Sequence, residues 1–334
     1  MQEKDGQDIR YVFVCGLQRS GTSVLARNIG RFGNCTAFRN TGVLQDEGQY
    51  LQDVYETDHA CGGTGRFGFN PRAHLTESSD LLTPDNIANL KASWEQYWDQ
   101  AKSIRIEKTP KNLLMTRFLQ AAFPNSYFVV IKRHPVAVSM ANQRWKRSMS
   151  PLHLGFQHWL KCYGLFEEDK KYLHHLYELS YEDYIAEPSR YHKEIAAFLG
   201  AEFVEDAMEA VADVHNRKYF DRWRRLLNDS PFRRYYRYIA CKYEPQFAPF
   251  GYSLTNAPGT VTPIVAKEGK MFGRLGELYS RGADVYALGW RLMDRTMSFC
   301  RGTLRRWLPA PVKEKIRLRF GEREQARLKR SSLP

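Results

Sequence analysis

The sequence predicts a three-layer α/β/α domain on a mainly parallel sheet, followed by a basic helical extension. Short β-rich runs, Tyr11–Cys15, Ser103–Glu107, Tyr127–Lys132 and Leu176–Leu179, alternate with helical stretches through the first two thirds of the chain. That alternation is the pattern of strand–helix–strand units with right-handed crossovers. Charge separates the extension from the domain. Residues 255–334 carry 17 Lys+Arg against 7 Asp+Glu, while residues 1–254 carry 33 against 30. The stretch Asn256–Gly259, with Pro263 after it, marks a linker. The domain is therefore placed at 1–254 and the extension at 255–334.

Taken in order, the first run feeds Gly16-Leu17-Gln18-Arg19-Ser20-Gly21-Thr22-Ser23 and a helix beginning near Thr22. A strand, a glycine-rich turn and a helix N-terminus form an anion site, because free N–H groups and the positive end of the helix dipole meet the incoming oxygens. The loop differs from a nucleotide-triphosphate loop at one position: the lysine that would reach the β/γ-phosphates is Thr22. Its cation is Arg19, inside the loop. An ordinary glycine turn before a core helix is the structural alternative.

Residues 34–84 have little periodicity and many glycines. A loop that long is more often a substrate lid than an idle connection. It contains Asp46-Glu47-Gly48-Gln49, with His59 and His74 further on. The run ending at Glu107 continues into Lys108-Thr109-Pro110-Lys111. This is either a cationic strand end facing a ligand or a turn in which Pro110 starts a helix and the lysines are solvated. The run Tyr127–Lys132 reads as a buried strand with Arg133 at its carboxyl end, where ligands of open α/β sheets bind. An arginine there can hold a phosphate with both arms of its fork. After Leu176–Leu179, the acids of Tyr181-Glu182-Asp183-Tyr184 suit the start of a helix. In the extension, Val285, Leu288, Leu292 and Phe299 recur at near-helical spacing among Arg291, Arg295, Arg301, Arg305 and Arg306. This predicts a basic amphipathic helix, packed on the core with a solvated face or lying on an anionic membrane surface.

Composition removes several classes. With 334 residues, 43% hydrophobic and 13% aromatic, the chain has ample core and is not generally disordered. It has no run of about eighteen apolar residues, the length a membrane-spanning helix needs. The first ten residues are polar, which argues against a secretory signal. Six scattered cysteines without a C-x-x-C pair read as free thiols in a reducing, cytoplasmic setting, with no zinc or disulfide signature. Nothing resembles a nucleic-acid reader.

The loop resembles that of sulfotransferases using 3′-phosphoadenosine 5′-phosphosulfate (PAPS). Their loop reads Lys or Arg, Ser-Gly-Thr, Ser or Thr, any residue, then Leu or Met. Arg19-Ser20-Gly21-Thr22-Ser23-Val24-Leu25 matches it position by position. Glu107-Lys108-Thr109-Pro110 is similar to a stretch found between the family's two motifs. Arg133-His134-Pro135 is similar to the second motif. Tyr181-Glu182-Asp183, Pro188 and Phe198-Leu199-Gly200 are similar to a later stretch, and Phe250-Gly251-Tyr252 to the usual domain end.

The resemblance implies a P-loop-like sulfotransferase fold, PAPS as co-substrate and no metal. It also implies an acceptor hydroxyl, on a carbohydrate or lipid-linked molecule. The donor-binding residues it implies are Gln18, Arg19, Ser20, Gly21, Thr22 and Ser23 at the 5′ end, with Arg133 and Ser139 at the 3′-phosphate. Ser139 lies six positions after Arg133, where the family's commonest spacing of eight falls on Ala141. Arg217 and Lys218 stand for a late basic segment, though their spelling departs from the usual Arg-Lys-Gly. Arg19 and Lys108 are the implied stabilisers of leaving-group charge. The implied base is a Glu or His in the segment after the loop helix: Glu47 first, then Asp46, His59 or His74. A solvated Asp-Glu-Gly turn is the alternative there. Two other functions fit parts of the sequence: a P-loop kinase, which would need the missing lysine, and an inactive anionic-glycan-binding relative.

Overall fold

β1 (Arg10–Cys15) is the centre of a five-stranded sheet in which every paired strand is parallel. The computed structural model describes residues 9–145, 152–205, 208–209 and 214–256. The strand order is β2 (Cys35–Ala37), β3 (Ile104–Lys108), β1, β4 (Ser126–Lys132), β5 (Leu176–Ser180). The chain winds to one side for β2 and β3 and to the other for β4 and β5. The switch point, where such sheets bind ligands, thus lies at the carboxyl end of β1.

Side-chain alternation along the strands builds two cores. Phe13 and Cys15 of β1 and Phe128 and Val130 of β4 face one cluster, and Val12, Val14, Val129 and Ile131 face the other. Side chains alternate faces along a strand, so runs that are apolar at every position give a sheet covered on both sides. The first face packs α2 (Pro84–Glu95), α3 (Thr116–Ala122), α4 (Pro135–Trp145) and α5 (Leu152–Asp169). The second packs α1 (Thr22–Ile29), α6 (Tyr181–Ala186) and α7 (Pro188–Leu199). The three-layer α/β architecture is therefore present. The pair α8 (Val214–Asn228) and α9 (Arg233–Phe247) adds Trp223, Ile239 and Phe247 to the first core.

The expected strands begin or end within a residue of those found. β2 was not expected, because three residues are too few to display a period. The basic extension beyond residue 256, including its amphipathic helix, lies outside the described residues. Basic charge is not confined to it: residues 214–247 carry 9 Lys+Arg against 3 Asp+Glu.

The irregular stretch from residue 38 to 83 is pinned down rather than loose. Val43, Leu51, Tyr55, Cys61, Phe67 and Ala73 are buried in the first core. Gln52 staples residues 49–55, donating to the carbonyls of Gln49 and Tyr55 and accepting from Tyr55 N–H. Pro110 opens a short 3₁₀ helix, Pro110–Leu114. Neither neighbouring lysine is solvated. Lys111 is fully buried beside Leu113, Leu114 and Met115, donates to the Glu56 carbonyl at 2.7 Å and lies 5.0 Å from the Tyr55 ring. Burial pushes its pKa down.

Candidate active site

The 16–23 loop sits at the carboxyl end of β1 and leads into α1. Gly21 caps the helix with φ 94°, and no side chain caps its N–H groups. A Cβ at Gly21 would lie 2.6 Å from the Tyr181 ring, so only glycine lets α6 approach here. Gly16 has φ 150°, and a Cβ there would meet the Ile131 carbonyl at 2.4 Å. The first turn of α1 contains no acidic residue, so its positive end is uncompensated. Arg19 is exposed and adopts φ 75°, a conformation that costs a non-glycine residue about 1 kcal/mol or more.

Two buried cations approach this loop from the strands beside β1. Arg133 follows β4 and is 5% exposed. Its Nη1 donates to the Arg19 carbonyl at 2.6 Å, while Nε and Nη2 donate to Asn216 Oδ1 at 3.0 and 2.6 Å. The Tyr181 ring lies 4.1 Å from the guanidinium, a cation–π stack. Asn216, on α8, also donates to Glu182 at 3.4 Å and so stands between Arg133 and that carboxylate. Trp159 and Tyr163 of α5 donate to the carbonyls of Arg133 and Ile131, fixing the strand end.

On the other side, Lys108 is the last residue of β3 and 7% exposed. Its Nζ donates to the Gln45 carbonyl at 3.1 Å and to Glu47 Oε1 at 2.9 Å. Glu47 is equally buried, and its second oxygen accepts from Gln49 Nε2 at 2.6 Å. Burial raises the Glu47 pKa and Asp58 adds to the rise, while Lys108 and Gln49 oppose it. The backbone of this segment is tied to β3 and α2. Gly48 N–H donates to Glu107 at 2.8 Å, and Trp94 donates to the Gly48 carbonyl at 3.0 Å. Burial lifts the Glu107 carboxyl to about 7 despite donors from Thr109, Gly48 and Asn112. Lys108, Ser23, Gln45 and Asp46 line a cleft of about 200 Å³ together with Arg27, Arg39, Ala26, Ala37, Phe38 and Ile106.

The sequence-derived candidates are thus sorted by position. Gln18, Arg19, Ser20, Gly21, Thr22 and Ser23 form the loop; Lys108 and Glu47 meet on one side and Arg133 on the other. Asp46 spends a carboxylate oxygen on the N–H and hydroxyl of Thr41, at 2.8 and 2.7 Å, and so holds a local turn. His74 pairs with Asp169 at the end of α5, in a separate cluster with Arg117. His59 lies beside Asp58 and Tyr50. Ser139 faces α5 instead of the loop: it is 2% exposed, and a Cβ on Gly155 would lie 2.6 Å from its Oγ. Arg217 and Lys218 point outward, and it is their neighbour Asn216 that turns in to Arg133. The reason is helical: Asn216, Tyr219, Phe220 and Trp223 form the buried face of α8.

Sequence reasoning missed Gln49, Asp58, Tyr181 and Asn216 as site components. Asp58 is 2% exposed and accepts from Gln18 Nε2 at 2.8 Å and from Tyr50 at 2.9 Å. Among the described residues no group of His, Cys, Asp and Glu is disposed to hold a metal ion.

The sequence model of a family described as "Sulfotransferase family" matches residues 11–206, more than half the chain and all the strands. The chain belongs to the sulfotransferase family. Among solved structures, this sulfotransferase is similar to the sulfotransferase domain of the Synechococcus PCC 7002 olefin synthase, at 19% identity over 65% of this chain and 82% of that one, with TM-score 0.39. It is also similar to a sulfotransferase from Alicyclobacillus acidocaldarius (15% identity, 71% and 92% covered, TM-score 0.41) and to one from Mycobacterium avium (12%, 73% and 76%, 0.46). No curated protein sequence matches it. No helix among the described residues is long and apolar enough to cross a membrane.

Proposed function

We propose that this sulfotransferase moves the sulfuryl group of PAPS to an acceptor hydroxyl, of carbohydrate or lipid-linked type, by in-line displacement. The observation that carries the reading is the buried Glu47–Lys108 pair, 2.9 Å apart, whose lysine lines the cleft beside the loop. The residues suit the donor: an uncapped helix start, Arg19 and the Arg133 fork are all complements of anionic oxygens. When bound, PAPS supplies the sulfuryl group and is left as 3′,5′-adenosine bisphosphate.

The protein's own residues divide the work. The first-turn N–H groups of α1 and the Arg19 side chain hold the 5′ phosphosulfate oxygens, and Arg133 lies toward the 3′-phosphate. Lys108 uses two of its N–H groups on Gln45 and Glu47, and its third serves the leaving oxygen as negative charge grows there. Glu47 takes the acceptor's hydroxyl proton as that oxygen bonds to sulfur and the sulfur–oxygen bond to phosphate breaks. A raised carboxylate pKa makes it a better proton acceptor than a solvated one. Preorganised cations of this kind dominate group transfer between charged oxygens.

Radiolabelled PAPS screened against carbohydrate and lipid-linked acceptors tests the reading. Replacing Arg19 or Lys108 by Ala should lower turnover by roughly 10²–10³-fold, the scale for losing one oxyanion donor. Unchanged turnover in both variants removes the mechanism. Calorimetry with 3′,5′-adenosine bisphosphate separates an enzyme, which binds it, from a glycan-binding relative that does not.

A further inference from the structure

We infer that Gln49 is a positioning residue for Glu47, and that Asp58 joins Gln49 to Gln18 so that the proton acceptor is set in register with the donor loop. The inference rests on the role proposed for Glu47 and extends it to residues that touch no reacting atom.

The orientation of the Gln49 amide is decided by its surroundings. Asp58 N–H can only donate, and it reaches Gln49 Oε1 at 2.7 Å. The opposite end of the amide must then be the NH₂, which donates to Glu47 Oε2 at 2.6 Å. Gln49 is wholly buried, so no water competes for either contact. Glu47 consequently has one oxygen on Lys108 and the other on Gln49, which fixes the plane of its carboxylate. Asp58 continues the array to the loop through Gln18 Nε2 at 2.8 Å. Its other oxygen accepts from Tyr50, whose hydroxyl oxygen lies 2.7 Å from His59 Nδ1. On the far side, Lys108 holds the Gln45 carbonyl and Ser23 Oγ reaches Gln45 Oε1 at 3.4 Å. The loop is therefore met at Gln18 and at Ser23 by the two ends of one hydrogen-bonded array, with Glu47 in its buried middle and the Ser23 contact exposed. A carboxylate positioned only by Lys108 could swing about that single contact.

The groups acting on the Glu47 charge are Lys108 from β3, Asp58 and Gln49 from the 47–59 segment. Tyr55, also in that segment, senses both Glu47 and the neighbouring Glu107 of β3. Gln49 and Asp58 act with opposite signs. The Gln49 donor favours the ionised carboxylate, whereas the Asp58 charge disfavours it.

The test is a carbon-13 titration of the side-chain carboxyls in the full chain labelled at glutamate Cδ, with the Glu47 signal assigned by its loss in Glu47→Gln. In Gln49→Met the Glu47 midpoint should rise by about one pH unit, the scale of one lost hydrogen bond to a charged group. In Asp58→Asn it should fall. Asp58→Asn should also weaken binding of 3′,5′-adenosine bisphosphate through Gln18. An unmoved Glu47 midpoint in both variants, or shifts of the same sign, overturns the inference. Should Gln49→Met not fold, Asp58→Asn alone decides, and a midpoint that stays or rises rejects it. Because the titration reads Glu47 without turnover, its result stands apart from the base assignment: normal turnover in Glu47→Gln sinks that assignment while the shifts still support the positional link.

Discussion

At the carboxyl end of β3, Lys108 is buried against a carboxylate; at the carboxyl end of β4, across β1, Arg133 is buried against a neutral amide, a carbonyl and an aromatic face. Both cations are more than nine-tenths buried and both face the same loop. The difference lies in what remains of their charge. Lys108 is paired with the Glu47 carboxylate, so that end of the site can change charge: in the proposed mechanism, protonation of the carboxylate releases the ammonium to meet a new negative charge. Arg133 keeps its charge, because Asn216 accepts its hydrogen bonds without cancelling it and separates it from Glu182. That end suits an anion that stays charged throughout, such as a phosphate. On the proposed mechanism, one flank serves a transient charge and the other a permanent one.

Three variants sharpen that contrast or break it. The largest expected effect belongs to Glu47→Gln, which should lower kcat by about 10²–10⁴-fold, the usual range for loss of a general base, and leave the affinity for 3′,5′-adenosine bisphosphate intact. In the parent enzyme the acid limb of the kcat/KM profile should fall above the ordinary carboxylate value of 4.5, since burial raises the Glu47 pKa and only the ionised form accepts a proton. Activity is then present at high pH and fades as pH drops through that raised value. Arg133→Lys comes next. It loses the forked contacts, and calorimetry should show the same bisphosphate bound more weakly by about 1.5–3 kcal/mol. Asn216→Ala leaves the guanidinium in place but unheld and should cost about 1–2 kcal/mol of that affinity, roughly 5–30-fold. A loss of kcat without loss of nucleotide affinity in Arg133→Lys, or the reverse in Glu47→Gln, would show that the two flanks do not divide the work.

Sequence made the frame of this site legible because the frame is local. A strand that is apolar on both faces announces itself in five or six residues, and chain continuity places the next residues at its carboxyl end. The positions of the loop, Lys108 and Arg133 at the strand ends were legible in that way. Glu47 was chosen by region, through its chemistry, and the structure pairs it with Lys108. The partners that hold these groups escaped. Asn216 lies 83 residues from Arg133, and Asp58 lies 40 from Gln18. A neutral amide in an irregular segment, such as Gln49, carries no period or charge to betray it. Helical side chains failed for another reason. Ser139 and Arg217 are the right residue types, but which way a helix turns them is decided by packing, here by Gly155 and by the Trp223 face of α8. The alternative that left Lys111 in water fails for the same lack of tertiary information.

Lys111 has a consequence of its own. Its amine is enclosed by the segment around Tyr55 and Glu56, and enclosure favours the uncharged form. Lifting that segment would hydrate the amine and let its pKa climb back toward the ordinary lysine value, so acid rewards the lifted state and alkali the seated one. The wall that carries Gln49 and Asp58 is thus clamped by a group whose grip slackens as protons become plentiful.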